Sequence, residues 1–259
     1  MKPTLLKIAL TIAGSDPTGG AGFQADLKTF KAMGVYGLSI PAVLTAQNTR
    51  GVSSIHEVPA DFFAEQLDML LKDVIPDAIK TGMIYTPEIV EGLSRRIKEH
   101  SLKNIVVDPV TVSSTGVSLA KAGTLNAIKS SLFPLARVIT PNIHEAYLLT
   151  GMEVCNENDM KDAALKLRDL GPEEVIITGG HLKDKAVDML FDGKEFLFFE
   201  NEKLEGEFHG TGCAFSSALA AGIALGYDVK ESAVKAKEFV FNAMKNALLL
   251  GKGMKILNI

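Results

Sequence analysis

The segment at 209–213 is the part of the chain whose residue types and spacing most clearly indicate chemistry. It reads His209, Gly210, Thr211, Gly212, Cys213, and a run of small apolar residues with helical character follows it. Two glycines let a backbone turn tightly and approach a ligand. The first N–H groups of a helix beginning there can bind an anion such as phosphate. A thiol near the positive end of the helix dipole is expected to lose its proton more easily than in water. We therefore predict phosphoryl-group chemistry around Gly210, Thr211, Gly212 and Cys213.

Polar residues also follow several short apolar runs. Asp108 comes directly after Ile-Val-Val, and Asn142 and Glu145 follow the run that ends at Pro141. Carboxylate and amide oxygens suit Mg²⁺, directly or through its waters. Asp108 is alternatively a helix-capping residue, and Asn142 with Glu145 is alternatively a capping box, a role that is compatible with ligand binding. The ends of parallel strands meet at one edge of a sheet, so these residues are predicted to share one site.

A second glycine-rich loop lies at 19–22 and reads Gly-Gly-Ala-Gly. It has neither the Lys-Ser/Thr of a P-loop nor the spacing of a dinucleotide fingerprint. We interpret it either as a flexible turn or as a close-packed wall for a flat ligand. Asp26, four residues after Gly22, is either a solvated helix residue or a contact to a substrate hydroxyl or amine. Gln47 is either the neighbour of a turn-forming Asn48 or an amide suited to the edge of a heteroaromatic ring.

The other cysteine and the remaining histidines do not lie in segments whose spacing indicates chemistry. Cys155 is predicted to be structural. The remaining histidines have no metal-ligand spacing, so no zinc site is predicted; they are His56, His100, His144 and His181.

The elements that must position these residues alternate along the chain. Strands are predicted at 8–13, 38–45, 78–81, 104–108, 137–140, 175–178, 186–191 and 196–199. Helices are predicted at 23–33, around 62–71, and at 87–100, 119–132, 159–170, 213–225 and 229–249. Short apolar strands alternating with helices predict an α/β fold with a mostly parallel sheet, and the strands at 186–199 predict a local antiparallel hairpin. No linker or repeat divides the chain, so 1–259 is interpreted as one domain.

Composition narrows the class of protein. Net charge is −4, from 27 Lys and Arg against 31 Asp and Glu, and there is no basic stripe that would indicate nucleic-acid binding. The sequence contains no apolar run of about 18 residues, so no membrane span is predicted. No secretory cleavage signal is recognised, and two cysteines do not form a disulfide framework, so a reducing cytoplasm is expected.

Seven segments in the same order along the chain resemble the hydroxymethylpyrimidine and phosphomethylpyrimidine kinases of the ribokinase-like superfamily. They lie at 10–29, 45–49, 80–83, 107–110, 139–146, 179–181 and 209–213. The first and last are highly specific. The resemblance implies a three-layer α/β/α ribokinase-like fold. It also implies ATP-dependent phosphorylation of a pyrimidine hydroxymethyl group and then of the monophosphate, in thiamine biosynthesis.

The resemblance also implies roles for individual residues. Gly210, Thr211, Gly212 and Cys213 would form the anion hole, with Cys213 where related sugar kinases carry an aspartate base. Mg²⁺ would involve Asp108 and Glu145. The pyrimidine pocket would be lined by Gly14, Ala21, Asp26, Gln47, Met83 and Val110, and the ATP phosphates would be served by Asp108, Asn142, Glu145 and Thr178. Members of the family are commonly cytoplasmic homodimers.

Two positions depart from the family pattern. Thr178 stands where a lysine is usual before Gly-Gly-His, and the stretch 204–208 lacks the usual lysine before the 209–213 segment. Cations stabilise phosphoryl transfer, so these changes bear most on the second, more highly charged step. Three alternatives stay open: a pyridoxine or pyridoxal kinase, a pyrimidine-binding regulatory protein with weak kinase activity, and an enzyme using Cys213 as a nucleophile.

Overall fold

Strands and helices alternate through the computed structural model, which describes residues 6–112, 119–179 and 186–259. The strands are β1 (Ile8–Gly14), β2 (Tyr36–Asn48), β3 (Gly51–Glu57), β4 (Ala78–Thr81), β5 (Ile105–Val107), β6 (Val138–Ile139), β7 (Glu174–Gly179), β8 (Ala186–Phe191), β9 (Phe196–Asn201), β10 (Phe208–His209) and β11 (Lys255–Ile256). The helices are α1 (Gly22–Ala32), α2 (Ala60–Leu71), α3 (Pro87–Glu99), α4 (Thr124–Ala127), α5 (Ile143–Thr150), α6 (Glu157–Arg168), α7 (Thr211–Ala224) and α8 (Val229–Lys245).

Nine of the described strands form one sheet in the order β3-β2-β1-β4-β5-β6-β7-β8-β9. The strands from β2 to β7 in this order run parallel. β3, β8 and β9 pair antiparallel at the two sides. The mostly parallel sheet and the antiparallel hairpin predicted at 186–199 are therefore confirmed.

Helices cover both faces of the sheet because its central strands are apolar on both sides. In β5, Ile105 and Val107 join one buried cluster while Val106, between them, joins the other, as the two-residue period of a strand requires. The first cluster contains residues of α2, α3, α5 and α6, and the second contains residues of α1, α7 and α8. The result is the expected three-layer α/β/α arrangement.

The helix predicted at 119–132 is wrong in its extent. Regular α-helix occupies only Thr124–Ala127, after Gly123 at φ 88°, and a π-turn at Ile128–Leu132 and a 3₁₀ turn at Phe133–Leu135 follow. Before it, the chain is not helical, and its N–H groups bond elsewhere: the Leu119 N–H donates to the Thr111 carbonyl, and the Lys121 N–H donates to the Tyr85 carbonyl. Pro134 then prevents the helix from continuing.

Other elements also differ from the sequence prediction, and neither β10 nor β11 was predicted. β3 was not predicted, because it is polar and mostly exposed and lacks an apolar run; it pairs with a β2 that is longer than predicted. The helix predicted to reach residue 249 ends at Lys245, and the chain returns so that Leu248 bridges Ile256. β11 then pairs with β10, next to the 209–213 segment. Within the described residues, no helix has the length and apolar character needed to cross a membrane.

Candidate active site

A cavity of about 510 Å³ lies at the carboxyl ends of the central strands. Every residue predicted for the site except Asp26 lines it; these are Gly14, Ala21, Gln47, Met83, Asp108, Val110, Asn142, Glu145, Thr178, Gly210, Thr211, Gly212 and Cys213. The elements that bring them together are adjacent in the sheet or packed on its edge. The segment at 180–185, including Gly180 and His181 of the family pattern, lies outside the described residues.

The wall formed by the start of α7 has the form expected of an anion site. Gly210 adopts φ 86°, and a Cβ there would overlap the Gly20 carbonyl oxygen. The first helical hydrogen bond runs from the Ala214 N–H to the Gly210 carbonyl at 2.9 Å. The N–H groups of Thr211, Gly212 and Cys213 precede that bond and therefore have no partner in the helix's own ladder. The glycine loop at 19–22 supports this turn by packing directly against it.

Asp16 organises the glycine loop, a role that the sequence prediction missed. Its carboxylate accepts hydrogen bonds from the N–H groups of Thr18 and Ala21, at 2.9 and 2.8 Å, and lies 2.8 Å from the Nε2 of His209. Burial opposes the charged form, but the bonds from His209 and Thr18 outweigh it and lower the pKa of Asp16. His209 thus joins the two glycine-containing loops and also lines the cavity.

Gln47 belongs to the same polar group. Its Nε2 lies 3.1 Å from the His209 Nε2, and its Oε1 lies 3.3 Å from the Thr45 hydroxyl. The His209 Nε2 cannot donate to Asp16 and also accept from Gln47, and the Thr45 hydroxyl donates to the Ser15 carbonyl at 2.7 Å, so the Gln47 amide keeps bonding capacity where it lines the cavity. Gln47 lies near the end of β2, and its neighbour Asn48 forms the turn to β3, where the Asn48 Oδ1 accepts from the Arg50 N–H at 2.8 Å. The turn-forming asparagine is therefore present, and Gln47 also lines the cavity.

The structure contradicts the placement of Asp26 in the ligand pocket. Asp26 is fully buried, and both carboxylate oxygens lie 2.9 Å from the ammonium of Lys80. Burial works against the charged lysine, but Asp26, Cys213 and Asp108 outweigh it, so the pKa of Lys80 is raised. The group that lines the cavity from below is Lys80, not Asp26. The sequence signal that could have identified Lys80 was a single lysine in a short, mostly uncharged strand. If such a strand is buried, its charge needs a partner, because an unpaired buried charge is costly.

Asp108 and Glu145 form an acidic wall. Burial raises the pKa of the Asp108 carboxyl, against the lowering effect of Lys80. Burial, reinforced by Asp108, raises the pKa of Glu145 to about 8. The capping box is also present, because Asn142 Oδ1 accepts from the Glu145 N–H and Glu145 Oε2 accepts from the Asn142 N–H, each at 2.9 Å. Glu145 therefore both caps the first turn of α5 and lines the cavity.

A second cavity, of about 1140 Å³, adjoins the first. The two share lining residues, including Asn142, Thr178, Thr211 and Gly212. Basic side chains line the larger one; they are Arg50, Lys203, Lys237 and Lys252. The start of α7 therefore stands between two spaces large enough for two different ligands.

The structure also reverses the expected reactivity of Cys213. Its side chain is only partly accessible, and burial raises the pKa of the thiol to about 12, against the lowering effects of Lys80 and of the Gly22 N–H. The start of α7 favours a thiolate, but loss of water around the sulfur outweighs that effect. The sulfur thus carries its proton at neutral pH.

We expect Cys213 to resist alkylation. At pH 7.5, iodoacetamide should modify exposed Cys155 and react with Cys213 about 100-fold more slowly, because only the thiolate is nucleophilic. Peptide mapping by mass spectrometry measures both rates. Cys155→Ser isolates the Cys213 signal, and its rate should rise steadily as pH is raised toward 10. Alkylation of Cys213 at the rate of the denatured chain would contradict the assignment.

Comparisons with known proteins agree with this geometry. The family model described as phosphomethylpyrimidine kinase matches residues 16–258. A bifunctional thiamine biosynthesis protein of Geobacter sulfurreducens is 45% identical over 246 residues, covering 94% of this chain and 50% of that protein. The hydroxymethylpyrimidine/phosphomethylpyrimidine kinase of Bacillus subtilis is 40% identical, with 95% of this chain and 92% of the relative covered.

A solved structure shows the same fold. The ADP complex of a Bacillus subtilis pyridoxal kinase superposes with a TM-score of 0.89 at 40% identity, covering 97% of this chain and 96% of that one. The chain spans about half the length of the bifunctional relative and nearly all of the single-function one. With the family model covering most of its length, this chain belongs to the phosphomethylpyrimidine kinase family.

Proposed function

We propose that this protein transfers the γ-phosphoryl group of ATP to the hydroxymethyl group of a pyrimidine, and then phosphorylates the resulting monophosphate. The observation that carries the proposal is the meeting of two cavities at Thr211 and Gly212, beside the free N–H groups of α7. A phosphoryl donor in the larger cavity and an acceptor hydroxyl in the smaller one would face each other there. The names of the relatives support the same reaction.

The smaller cavity suits a flat heteroaromatic ring. Ala21, Met83 and Val110 supply apolar surface, and Gln47 supplies an amide with both donor and acceptor atoms. Asp26 has no part in ring contact in this proposal. The ring would instead be recognised by Gln47, whose amide lines the cavity.

The larger cavity would hold the nucleotide. The two lysines expected from the family pattern are absent, but Arg50, Lys203, Lys237 and Lys252 line this space. Lys237 is itself held by Asp188, 2.7 Å from its ammonium. Asp188, Glu202 and Glu207 line the same space, so these cations would offset phosphate charge only in part.

Asp108, Glu145 and Thr140 fit a magnesium ion bound mainly through water and phosphate. Two buried carboxyls whose pKa values are raised would be relieved by a nearby cation, and the buried Thr140 hydroxyl has no hydrogen-bond partner in the described part of the chain. The described residues contain no cluster of three His, Cys, Asp or Glu side chains, so most ligands would come from water and ATP. When bound, the ion would neutralise charge on the phosphates.

In the transfer step, the hydroxymethyl oxygen bonds to the γ-phosphorus while the bond from that phosphorus to the bridging oxygen of ADP breaks. The hydroxyl proton passes to a phosphate oxygen. The N–H groups of Thr211, Gly212 and Cys213 would receive the charge on the phosphoryl oxygens. Because the transition state is loose, the hydroxyl needs little activation by a base. The protonated Cys213 thiol therefore orients the hydroxyl instead of deprotonating it.

The direct test is an assay with hydroxymethylpyrimidine, ATP and Mg²⁺, in which ADP, monophosphate and diphosphate products are measured separately. We expect ADP to form in step with monophosphate and then diphosphate. Absence of ADP above background would contradict the kinase proposal. Tight pyrimidine binding without ADP would indicate the regulatory alternative.

Pyridoxal is the second candidate acceptor, because a solved structure 40% identical to this chain is described as a pyridoxal kinase. Its ring also carries a hydroxymethyl group. Comparing kcat/KM for the two compounds distinguishes them. We expect the pyrimidine to be preferred.

Replacing Cys213 with alanine should lower kcat by about tenfold. Loss of a general base typically costs 10²- to 10⁴-fold, whereas loss of an orienting contact costs less. Steady-state kinetics and pyrimidine binding check this prediction, with Cys155→Ser as the matched cysteine control. A decrease of more than 10³-fold with unchanged binding would restore Cys213 as the base. A covalent phosphoryl adduct on Cys213 would instead indicate a nucleophile.

Three broader expectations remain proposals. One domain spanning 1–259 is supported by a single buried cluster that joins residues of β1 and β5 to residues of α7 and α8 and to Leu257. Homodimer formation and a cytoplasmic location rest on the family resemblance. Sedimentation of the full chain tests homodimer formation.

A further inference from the structure

A group of four polar side chains lies fully buried beneath the smaller cavity. This floor cluster consists of Thr11 on β1, Asp26 on α1, Lys80 on β4 and Ser217 on α7. Asp26 accepts hydrogen bonds from the Thr11 and Ser217 hydroxyls, each at 2.5 Å, and from the Lys80 ammonium at 2.9 Å. Burial of two charges is costly, so four elements converging on one ion pair call for an explanation beyond stability.

Lys80 has bonding capacity left over. An ammonium has three N–H donors, and within the described residues its hydrogen bonds go to the two oxygens of Asp26. Lys80 also lines the cavity. A Cβ on Gly82 would lie 2.9 Å from the ammonium nitrogen, so glycine at that position leaves the nitrogen room. One N–H of the buried ammonium therefore has no partner among the described residues, next to the lining of the smaller cavity.

The cluster is joined to the first turn of α7. The Ser217 hydroxyl lies 2.5 Å from Asp26 Oδ1 and 2.6 Å from the Cys213 carbonyl oxygen. The neighbouring Ser216 hydroxyl lies 2.9 Å from both Asp108 Oδ2 and the Gly212 carbonyl oxygen. The helix start that carries the anion hole is thus tied to the same carboxylate that holds Lys80.

The charge of Lys80 affects the ionisation of groups that line the cavity even though Lys80 is paired with Asp26. Lys80 lowers the pKa values of both Cys213 and Asp108, and Asp26 acts on each in the opposite direction with a smaller effect. Cys213 and Asp108 both line the smaller cavity, so the charge of Lys80 acts on the cavity lining although its ammonium is paired with Asp26. A fixed cation in a water-poor site stabilises developing negative charge far more than one in bulk water.

We propose that Lys80 is a catalytic residue whose remaining N–H donates to an oxygen of the phosphoryl group as it passes to the acceptor, while Asp26 and Ser217 are positioning residues that hold the ammonium in register with α7. Lys80 keeps its proton and forms no covalent bond. The bonds made and broken are those of the transfer step above. This inference rests on the proposed function, which supplies ATP and the acceptor hydroxyl.

The test removes the charge without leaving an unpaired ion. Asp26→Asn with Lys80→Met is compared, in the full chain, with the parent and with Lys7→Met plus Asp77→Asn. The control pair joins β1 to the turn before β4 at the far end of the same strands, with a 2.7 Å contact. We expect kcat to fall about 10²- to 10³-fold in the Lys80 variant, as for loss of an oxyanion donor. Pyrimidine and ATP dissociation constants should change less than threefold, and the control should match the parent.

A second readout does not depend on turnover. ADP with aluminium fluoride mimics the phosphoryl group in transit, and its binding by calorimetry should weaken at least 30-fold in the Lys80 variant while ADP alone binds as in the parent. If the methionine variant does not fold, Lys80→Gln with Asp26→Asn retains hydrogen bonding without charge and should show the same losses.

The outcomes separate the two proposals. A parent protein that forms no ADP overturns the proposed function, and aluminium fluoride binding then still tests Lys80. Equal kcat and equal aluminium fluoride binding in a folded Lys80 variant overturn the inference. A proportional loss of ADP, pyrimidine and aluminium fluoride binding also overturns it, because that pattern indicates a structural role only.

Discussion

Lys80→Met alone should lower the free energy of unfolding by about 3–5 kcal/mol, the range seen when one partner of a buried ion pair is removed. The change leaves the Asp26 carboxylate fully buried beside two hydroxyls with no cation. Urea denaturation at pH 7, followed by circular dichroism, measures the loss.

Two comparisons identify the cause. Adding Asp26→Asn to Lys80→Met should recover most of the lost stability, because it removes the unpaired charge and keeps amide hydrogen bonds. Lys7→Met breaks a partly exposed pair with Asp77, and it should cost no more than about 1 kcal/mol. A loss below about 1 kcal/mol for Lys80→Met would show that water or another cation replaces the ammonium.

The sequence predicts the residues at the sheet edge well because a polar residue or a proline marks the end of each strand there. Short apolar runs end just before Asp108 and shortly before Pro141, and the parallel arrangement then brings those ends together. β3 could not be found in this way, because its side chains are polar and mostly exposed and its pairing with β2 supplies the order. Its existence depends on a partner strand that local composition does not reveal.

The site shows a different limit. Spacing placed Asp26 just after the glycine loop, but only packing determines that its side chain meets Lys80, 54 residues away. Likewise, the helix start at Cys213 predicts a lowered thiol pKa, and the surrounding desolvation reverses that direction. Local sequence therefore identified the residues of the cavity wall, whereas charge state and support from beneath required the fold.

Gly210→Ala should both destabilise the fold and abolish most turnover. The residue has φ 86°, and a Cβ there would overlap the carbonyl oxygen of Gly20, which is backbone that cannot move aside cheaply. Left-handed strain alone costs about 1–2 kcal/mol in a non-glycine residue, so we expect a total loss above 2 kcal/mol. Separating the two glycine-containing loops would also displace the anion hole, and a shift of about 1 Å can reduce turnover 10²-fold.

Two other glycines serve as controls. One separates the effect of backbone strain from that of steric overlap, and the other separates the effect on stability from the effect on kcat. Gly34 has φ 80° with no atom within 4 Å of an added Cβ, so Gly34→Ala measures strain alone and should leave kcat unchanged. Gly212 also has open space around an added Cβ, so Gly212→Ala should retain the parent's melting temperature. Its methyl group would nevertheless occupy space at the anion hole and lower kcat. Equal melting temperatures for Gly210→Ala and Gly34→Ala would mean that the loops part without cost, and the contact between Gly20 and Gly210 would then not be what holds the anion hole in place.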